Sequence, residues 1–201
     1  MANSFFRQIR TAGLLAAALA GLGSCHSSGS SGNAPQAALS HDQLVARGHY
    51  LVSSIGCGDC HSPKTMTPMG PVQDSSRLLS GFPSSEPVPM FSDSLAARGI
   101  VQAGPDLTSW RGPWGTSFTA NLTPDSATGI GAWSLKTFIQ TLRTGHHLGL
   151  ATGRPVLPPM PVESFRNMTD MDLQSIYAYL QSLPAIQNRV HAPLPPPGMD
   201  Q

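Results

Sequence analysis

Two cysteines and a histidine stand together in the stretch Cys57-Gly58-Asp59-Cys60-His61, which has the spacing C-x-x-C-H. Two thiols about one helical turn apart can each add to one vinyl group of the same porphyrin, and the imidazole that follows then lies under the iron. The stretch therefore predicts one haem c, attached covalently through Cys57 and Cys60, with His61 as the proximal ligand of its iron.

Two other interpretations of paired cysteines fit the sequence less well. A structural zinc site needs four ligands, and the sequence has neither a second cysteine pair nor an H-x-H cluster. A thioredoxin-like dithiol opens a helix inside an alternating pattern of strands and helices. The present motif ends a helical stretch, and no such alternation follows it.

A methionine is the expected sixth ligand of the iron. Met160 lies in a proline-rich loop, Pro158-Pro159-Met160-Pro161, which would hold its sulfur in place without a helix. A thioether can ligate haem iron, although methionine more often serves as adaptable core filler. Met90, in Pro87-Val88-Pro89-Met90, has a similar setting and is the alternative ligand.

The imidazole of a haem ligand usually donates its second N–H to a fixed acceptor, which sets its tautomer and raises its basicity. Gly70-Pro71 follows the proximal histidine by some ten residues, so the carbonyl of Pro71 is the predicted acceptor. Pro63 is the competing candidate.

The first residues are typical of an export signal. Residues 1–24 contain Arg7 and Arg10 and then an apolar run that is too short to span a bilayer. Leu22-Gly23-Ser24-Cys25 resembles the bacterial lipobox, which makes Cys25 the predicted lipid anchor. Residues 25–39 are rich in serine and glycine and predict a flexible linker. The expected location is the periplasmic side of a bacterial membrane; the alternative is an ordinary cleavable signal with an incidental cysteine.

The remaining chain predicts an all-α fold with long loops rich in proline and glycine. Ser40 and Gln43 form a capping box for a helix over residues 41–55, in which Gly48 would allow a close helix crossing. Ser134 caps a second helix that stops at Gly145, and Thr169 caps a third that runs towards Pro184. Residues 62–120 are expected to be mostly loop, with short helical turns near 94–98. We expect one domain over residues 40–188 and a proline-rich tail over 189–201.

With these pieces in place, residues 40–188 resemble the class I cytochrome c family, in which helices pack around a covalently bound haem. The motifs follow the family order: after the C-x-x-C-H stretch come Gly70-Pro71, Ala120-Asn121, Thr128-Gly129-Ile130, Trp133, the Met160 loop and Ile176-Tyr177-Ala178-Tyr179-Leu180. In the family, asparagine and tryptophan at such positions hydrogen-bond or shield a haem propionate, which implies these roles for Asn121 and Trp133.

The run from Asn121 to Trp133 is also similar to bacterial periplasmic cytochrome domains that serve as electron-accepting subunits of dehydrogenases. Such subunits often carry several C-x-x-C-H motifs, and this chain carries one. The insertion between His61 and Asn121 is longer than in small family members, so its residues inherit no roles from the resemblance.

The resemblance implies a membrane-anchored electron carrier that relays single electrons between a periplasmic dehydrogenase or respiratory donor and an acceptor, and is not an enzyme on its own. One alternative is a haem enzyme or sensor with an open sixth site, for which His146, His147 and Arg154 are the distal candidates. Another is a docking subunit that holds a dehydrogenase at the membrane. Nucleic acid is not an expected partner, because the sequence has no basic run and no Arg or Lys stripe alternating with aromatic residues.

Overall fold

A computed structural model describes residues 38–196 together with Gly198 and Met199. The predicted signal segment 1–24, the lipid-anchor residue Cys25 and nearly all of the predicted linker 25–39 lie outside the described residues. The end of the predicted tail lies outside them as well.

Helices and short strands both contribute to the fold. The helices are α1 (His41–Ile55), α2 (Cys57–His61), α3 (Asp93–Ala97), α4 (Leu135–Thr144), α5 (Val162–Arg166) and α6 (Asp170–Gln181), with 3-10 turns at Ser75–Arg77 and His147–Gly149. The strands are β1 (Lys64–Thr67), β2 (Gly70–Gln73), β3 (Gln102–Ala103), β4 (Ser109–Gly112) and β5 (Gly115–Phe118). The chain is therefore mainly helical, as expected, but not plainly all-α.

The strands form two small antiparallel sheets, β1-β2 and β3-β4-β5, within the predicted loop region. The turn between β4 and β5 is made by Gly112, Pro113, Trp114 and Gly115, and Gly115 has a φ of 100°. Glycine tolerates this backbone conformation because it has no Cβ. Strands of two to four residues are too short to produce a periodic pattern, which is why the sequence did not predict them.

The predicted helix boundaries follow from capping side chains. Ser40 and Gln43 form the reciprocal capping box of α1, as predicted. Thr169 caps α6 by accepting from the backbone N–H of Asp172, and Ser134 caps α4 in the same way. Gly145 ends α4 in the left-handed conformation, also as predicted.

Gly48 allows α1 and α6 to cross at close range. A Cβ at this position would lie 1.9 Å from the backbone oxygen of Ser175 and 2.7 Å from the Cβ of Tyr179. The predicted close crossing at Gly48 is therefore confirmed. Arg47, one residue earlier, forms an ion pair with Asp172 of α6 at the edge of the same contact.

The buried core lies between α1, α4 and α6. Its members are Val52, Leu79, Ile130, Phe138, Ile176 and Leu180, and partly buried residues that include Cys57 and Trp133 pack against it. Leu79 comes from the insertion, so this segment contributes to the core as well as to the surface.

The described part of the predicted tail is attached to the insertion. Leu194 exchanges two backbone hydrogen bonds of 2.9 Å with Thr116 of β5. Asn188, the last residue before the predicted tail, donates through its amide to the carbonyls of Ser80 and Phe82 at 2.7 and 2.8 Å. The chain after α6 therefore holds the insertion in place.

We expect Gly48→Ala to destabilise the protein by about 1 to 3 kcal/mol, because the added methyl group overpacks the helix crossing. The direction of the change in the free energy of unfolding is informative, because alanine in an open helical position would stabilise the protein by about 1 kcal/mol relative to glycine. Urea denaturation measures the free energy of unfolding. Ser54→Ala, at an exposed position of the same helix, is the control and should leave it nearly unchanged. A Gly48→Ala protein as stable as wild type would contradict the close crossing.

Candidate haem site

The two cysteines of the C-x-x-C-H stretch lie on one turn of helix, α2. Gly56 connects α1 to α2 in the left-handed conformation, with a φ of 76°. Both Cys57 and Cys60 are free thiols and are half-buried, and Cys57 packs against the apolar core. The two sulfurs are therefore available on the same helical turn, as covalent attachment of one haem requires.

His61 is buried and has one ring nitrogen engaged. Its Nδ1 lies 2.8 Å from the carbonyl oxygen of Ala120. A carbonyl only accepts, so Nδ1 carries the proton and the lone pair of Nε2 is available to a metal. Within residues 38–196, Nε2 has no hydrogen-bond partner. Burial lowers the pKa of His61, and although the bond to Ala120 opposes this shift, the neutral imidazole is favoured.

The acceptor identified here corrects the prediction for Pro71. Pro71 is an exposed residue of β2, where it pairs with Met66 in the β1-β2 hairpin. The carbonyl of Pro63, the other candidate, accepts the backbone N–H of Asp74 at 2.9 Å. The acceptor is instead Ala120, which is 59 residues from His61 in sequence.

The insertion brings Ala120 to the imidazole. Gly81 donates to the carbonyl of His61 at 2.7 Å, and Phe82 donates to the carbonyl of Thr119 at 3.0 Å. Gly81 has a φ of 78°, and a Cβ there would lie 2.4 Å from the Thr119 oxygen. Only glycine permits this approach, which joins the end of α2 to the segment carrying Ala120.

Asn121 does not have the amide groups free for the propionate contact that the resemblance implied. Its Nδ2 donates to Ile186 at 2.8 Å, with longer contacts to Thr128 and Asn188. Its Oδ1 accepts from both the N–H and the hydroxyl of Thr123, at 3.0 and 2.7 Å. Asn121 is 3% exposed and its amide groups bond within the protein, which links neighbouring loops. A shielding contact between Asn121 and a propionate stays a prediction.

Trp133 retains a free indole N–H among the described residues. Its ring packs against the core, and its edge-to-face contact with His147 has a centroid distance of 5.6 Å. Its backbone carbonyl accepts from the Tyr177 hydroxyl at 2.7 Å. The contact between Trp133 and a propionate stays a prediction.

The two candidate methionines differ in exposure. Met90 is fully exposed, whereas Met160 is half-buried. The loop of Met160 is tied to β5, because the Ser117 hydroxyl donates to the carbonyl of Pro158 at 2.6 Å. This anchoring holds the loop in place beside β5, and ligation by Met160 stays a prediction.

The electrostatics of the two thiols do not favour a redox dithiol. Burial raises the pKa of Cys57 to about 11 and also raises the pKa of Cys60, although the charge of Lys64 opposes the second shift. Reactive dithiols have lowered pKa values. Within the described part of the chain, no cluster of three or more His, Cys, Asp or Glu residues could hold a metal ion by itself. The donor set therefore fits a haem attached by thioethers.

The distal candidates lie in the segment after α4. The His147 backbone N–H donates to the carbonyl of Arg154 at 2.9 Å. Partial burial lowers the pKa of His147, and the charge of Arg154 adds to this shift. Nδ1 of His146 lies 3.1 Å from the carbonyl of Thr144. His147 packs on Trp133, so the structure accounts for its position without a ligand.

Known proteins similar to this chain include cytochrome subunits of bacterial dehydrogenases. The chain is 30% identical to the gluconate 2-dehydrogenase cytochrome c subunit of Pantoea cypripedii over 71% of its length and 25% of that protein. It is 27% identical to the fructose dehydrogenase cytochrome subunit of Gluconobacter japonicus. This match covers 74% of the present chain and 23% of the relative. The chain is also 30% identical to the cytochrome c subunit of the quinone-type alcohol dehydrogenase of Gluconobacter oxydans over 71% of its length and 29% of that protein.

The matched regions span less than a third of each of these three relatives. No protein-family model matches the chain. The similarity to the three subunits extends over more than two thirds of this chain, beyond the C-x-x-C-H turn alone. The chain is therefore homologous to the cytochrome c subunits of bacterial dehydrogenases.

Proposed function

We propose that this protein is a c-type cytochrome with one covalent haem that relays single electrons between a dehydrogenase and an acceptor. The observation that carries the proposal is the α2 turn, on which two free thiols precede an imidazole with Nδ1 on the Ala120 carbonyl and Nε2 available. When bound, haem supplies an iron that exchanges one electron reversibly. No substrate needs to bind for such an exchange.

The residues of the site have distinct tasks in this proposal. Cys57 and Cys60 form the thioether bonds, and His61 is the proximal ligand. The Ala120 carbonyl fixes the tautomer and the orientation of the imidazole and raises its basicity. Met160 is the proposed sixth ligand, and Trp133 is the proposed propionate donor. The apolar core against which Cys57 packs excludes water from one side of the site.

The names of the relatives support a dehydrogenase as the redox partner. The fructose, gluconate and alcohol dehydrogenase relatives are each cytochrome subunits of an enzyme that removes electrons from an organic substrate. A subunit of that kind accepts electrons from the catalytic subunit and passes them on. We propose that this chain likewise accepts electrons from a dehydrogenase, whose identity is to be determined.

Export and lipid anchoring through Cys25 complete the proposal. In the described part of the chain, no helix has both the length and the apolar character needed to cross a bilayer. A lipidated cysteine followed by a serine- and glycine-rich linker would keep the cytochrome within reach of partners on the periplasmic side of a membrane.

Acid–acetone extraction tests covalent attachment. The colour of the wild-type protein should stay with the polypeptide, because thioether bonds survive conditions that release a bound but unattached haem. Cys57→Ala and Cys60→Ala should each leave at most one thioether bond, and the double variant should yield no stable haem protein. Haem in the organic phase from wild type would refute the proposal.

The sixth ligand decides between an electron carrier and a ligand-binding haem protein. With Met160 on the iron, the oxidised protein should show low-spin haem with a sulfur-to-iron charge-transfer band and little binding of cyanide or carbon monoxide. Met160→Ala should remove the band, open the site and lower the reduction potential, because Met/His ligation raises it. Absorption and spectroelectrochemistry measure these changes.

Met90→Ala is the matched control, since Met90 is a fully exposed methionine in a similar proline-rich loop. It should leave the spectrum and the potential unchanged. A wild-type protein that lacks the band and binds exogenous ligands readily would instead favour the enzyme or sensor alternative.

Lipid anchoring predicts that the mature protein begins at Cys25, carries acyl chains and partitions into the membrane fraction. One acyl chain gives only marginal binding, whereas two or more anchor a protein stably. Cys25→Ser should release a soluble cytochrome with an unchanged haem spectrum. Mass spectrometry of the mature N-terminus is the measurement, and an unmodified N-terminus at another residue would exclude the anchor.

A further inference from the structure

The ammonium group of Lys64 hydrogen-bonds to α2, the helical turn that carries Cys57 and Cys60, and to its cap. Its Nζ donates to the carbonyls of Asp59 at 2.6 Å, Ser62 at 2.9 Å and Asp106 at 2.8 Å. An ammonium has three protons, so these three carbonyls use all of them. The first residue of β1 is thereby bonded to α2 and to a turn of the insertion.

The three carbonyls lie where they can fix the position of the turn. The carbonyls of Asp59 and Ser62 come from the last turn of α2 and its cap, which lack helical N–H partners. They flank Cys60 and His61 in sequence. The carbonyl of Asp106 belongs to the turn before Thr108. The carbonyl of Thr108 in turn accepts the N–H of Thr119 at 2.9 Å.

The segment after Thr119 carries Ala120, the acceptor of the His61 imidazole. Lys64 therefore bonds to the structures on both sides of the His61–Ala120 hydrogen bond. One is α2, which carries the imidazole, and the other is the insertion segment that leads to Ala120. A lysine near a helix C-terminus often serves only as a cap. The bond to Asp106, 42 residues away, goes beyond such a cap.

The ammonium also holds its charge in a half-buried position. Burial lowers the pKa of Lys64, and the charges of Asp106 and Asp59 oppose that shift. Within residues 38–196, no carboxylate lies within ion-pair distance of its Nζ. The side chain of Asp59 accepts from the Gln73 amide, and that of Asp106 accepts from the hydroxyl of Thr108. At hydrogen-bond distance the charge is solvated by main-chain carbonyls, which keep the ammonium in place beside Cys60 and His61.

We propose that Lys64 is a positioning residue whose fixed positive charge raises the reduction potential of the site. This inference rests on the proposed function. Ferric haem carries one more positive charge than ferrous haem, so a positive charge held nearby disfavours oxidation. A charge in a half-buried site is screened by salt less than an exposed one is. The effect of Lys64 should therefore persist at high ionic strength.

The test compares midpoint potentials of the haem-loaded variants by spectroelectrochemistry at low and high salt. Lys64→Gln and Lys64→Met remove the charge, and the first keeps an N–H donor for the carbonyls. Both should shift the potential downward at both salt concentrations, whereas Lys64→Arg should keep it close to wild type. Lys136→Met is the matched control, because Lys136 is the only other lysine in the sequence and lies exposed on α4. It should produce no shift at high salt.

Three results would overturn the proposal. The first is an unchanged potential in Lys64→Gln and Lys64→Met, and the second is an equal downward shift in Lys64→Arg, which would indicate lost packing instead of lost charge. The third is a failure of both neutral variants to incorporate haem while Lys64→Arg succeeds, which would make Lys64 a residue of the fold alone. A wild-type protein without covalent haem would refute the proposed function itself, and the acid–acetone extraction detects that case separately.

Discussion

The hydrogen bond from the His61 imidazole to the Ala120 carbonyl is the interaction on which the site depends. A buried imidazole with no acceptor would be free to rotate and to exchange tautomers, and it would present either nitrogen to a metal. The bond assigns the proton to Nδ1 and leaves the Nε2 lone pair available. The rest of the site consists of the contacts that keep these two groups, 59 residues apart in the chain, in hydrogen-bond geometry.

The insertion supplies those contacts, although its sequence suggests little more than loop. Gly81 allows the chain to pass close to Thr119, and its N–H holds the carbonyl of His61. Leu79 is 1% exposed and enters the core, and its N–H donates to the Ser62 hydroxyl. The segment after α6 then binds the insertion through Asn188. Contacts from separate parts of the chain therefore fix the position of the His61 imidazole, although much of the surrounding chain is irregular.

Helix packing provides the frame around this centre. The crossing of α1 and α6 at Gly48 brings two backbones closer than any side chain would permit, and it fixes where α1 delivers the chain to α2. The site is thus positioned from two sides. The helix crossing places the thiols and the imidazole, while the insertion places the acceptor. Lys64 joins the two parts, because its three carbonyl partners come from both of them.

Local sequence predicts the haem-attachment motif and the three longest helices, because both depend on residues that are close together in the chain. The C-x-x-C-H stretch predicts thioether attachment within five residues, and Ser40, Ser134 and Thr169 each cap a helix three residues from the group they bond. Other features depend on long-range contacts and are visible only in the fold. The tertiary structure replaced Pro71 by Ala120 as the imidazole acceptor and assigned the Asn121 amide to the protein. It also formed two sheets that the sequence did not predict. These outcomes depend on contacts between residues far apart in the chain, which no local pattern specifies.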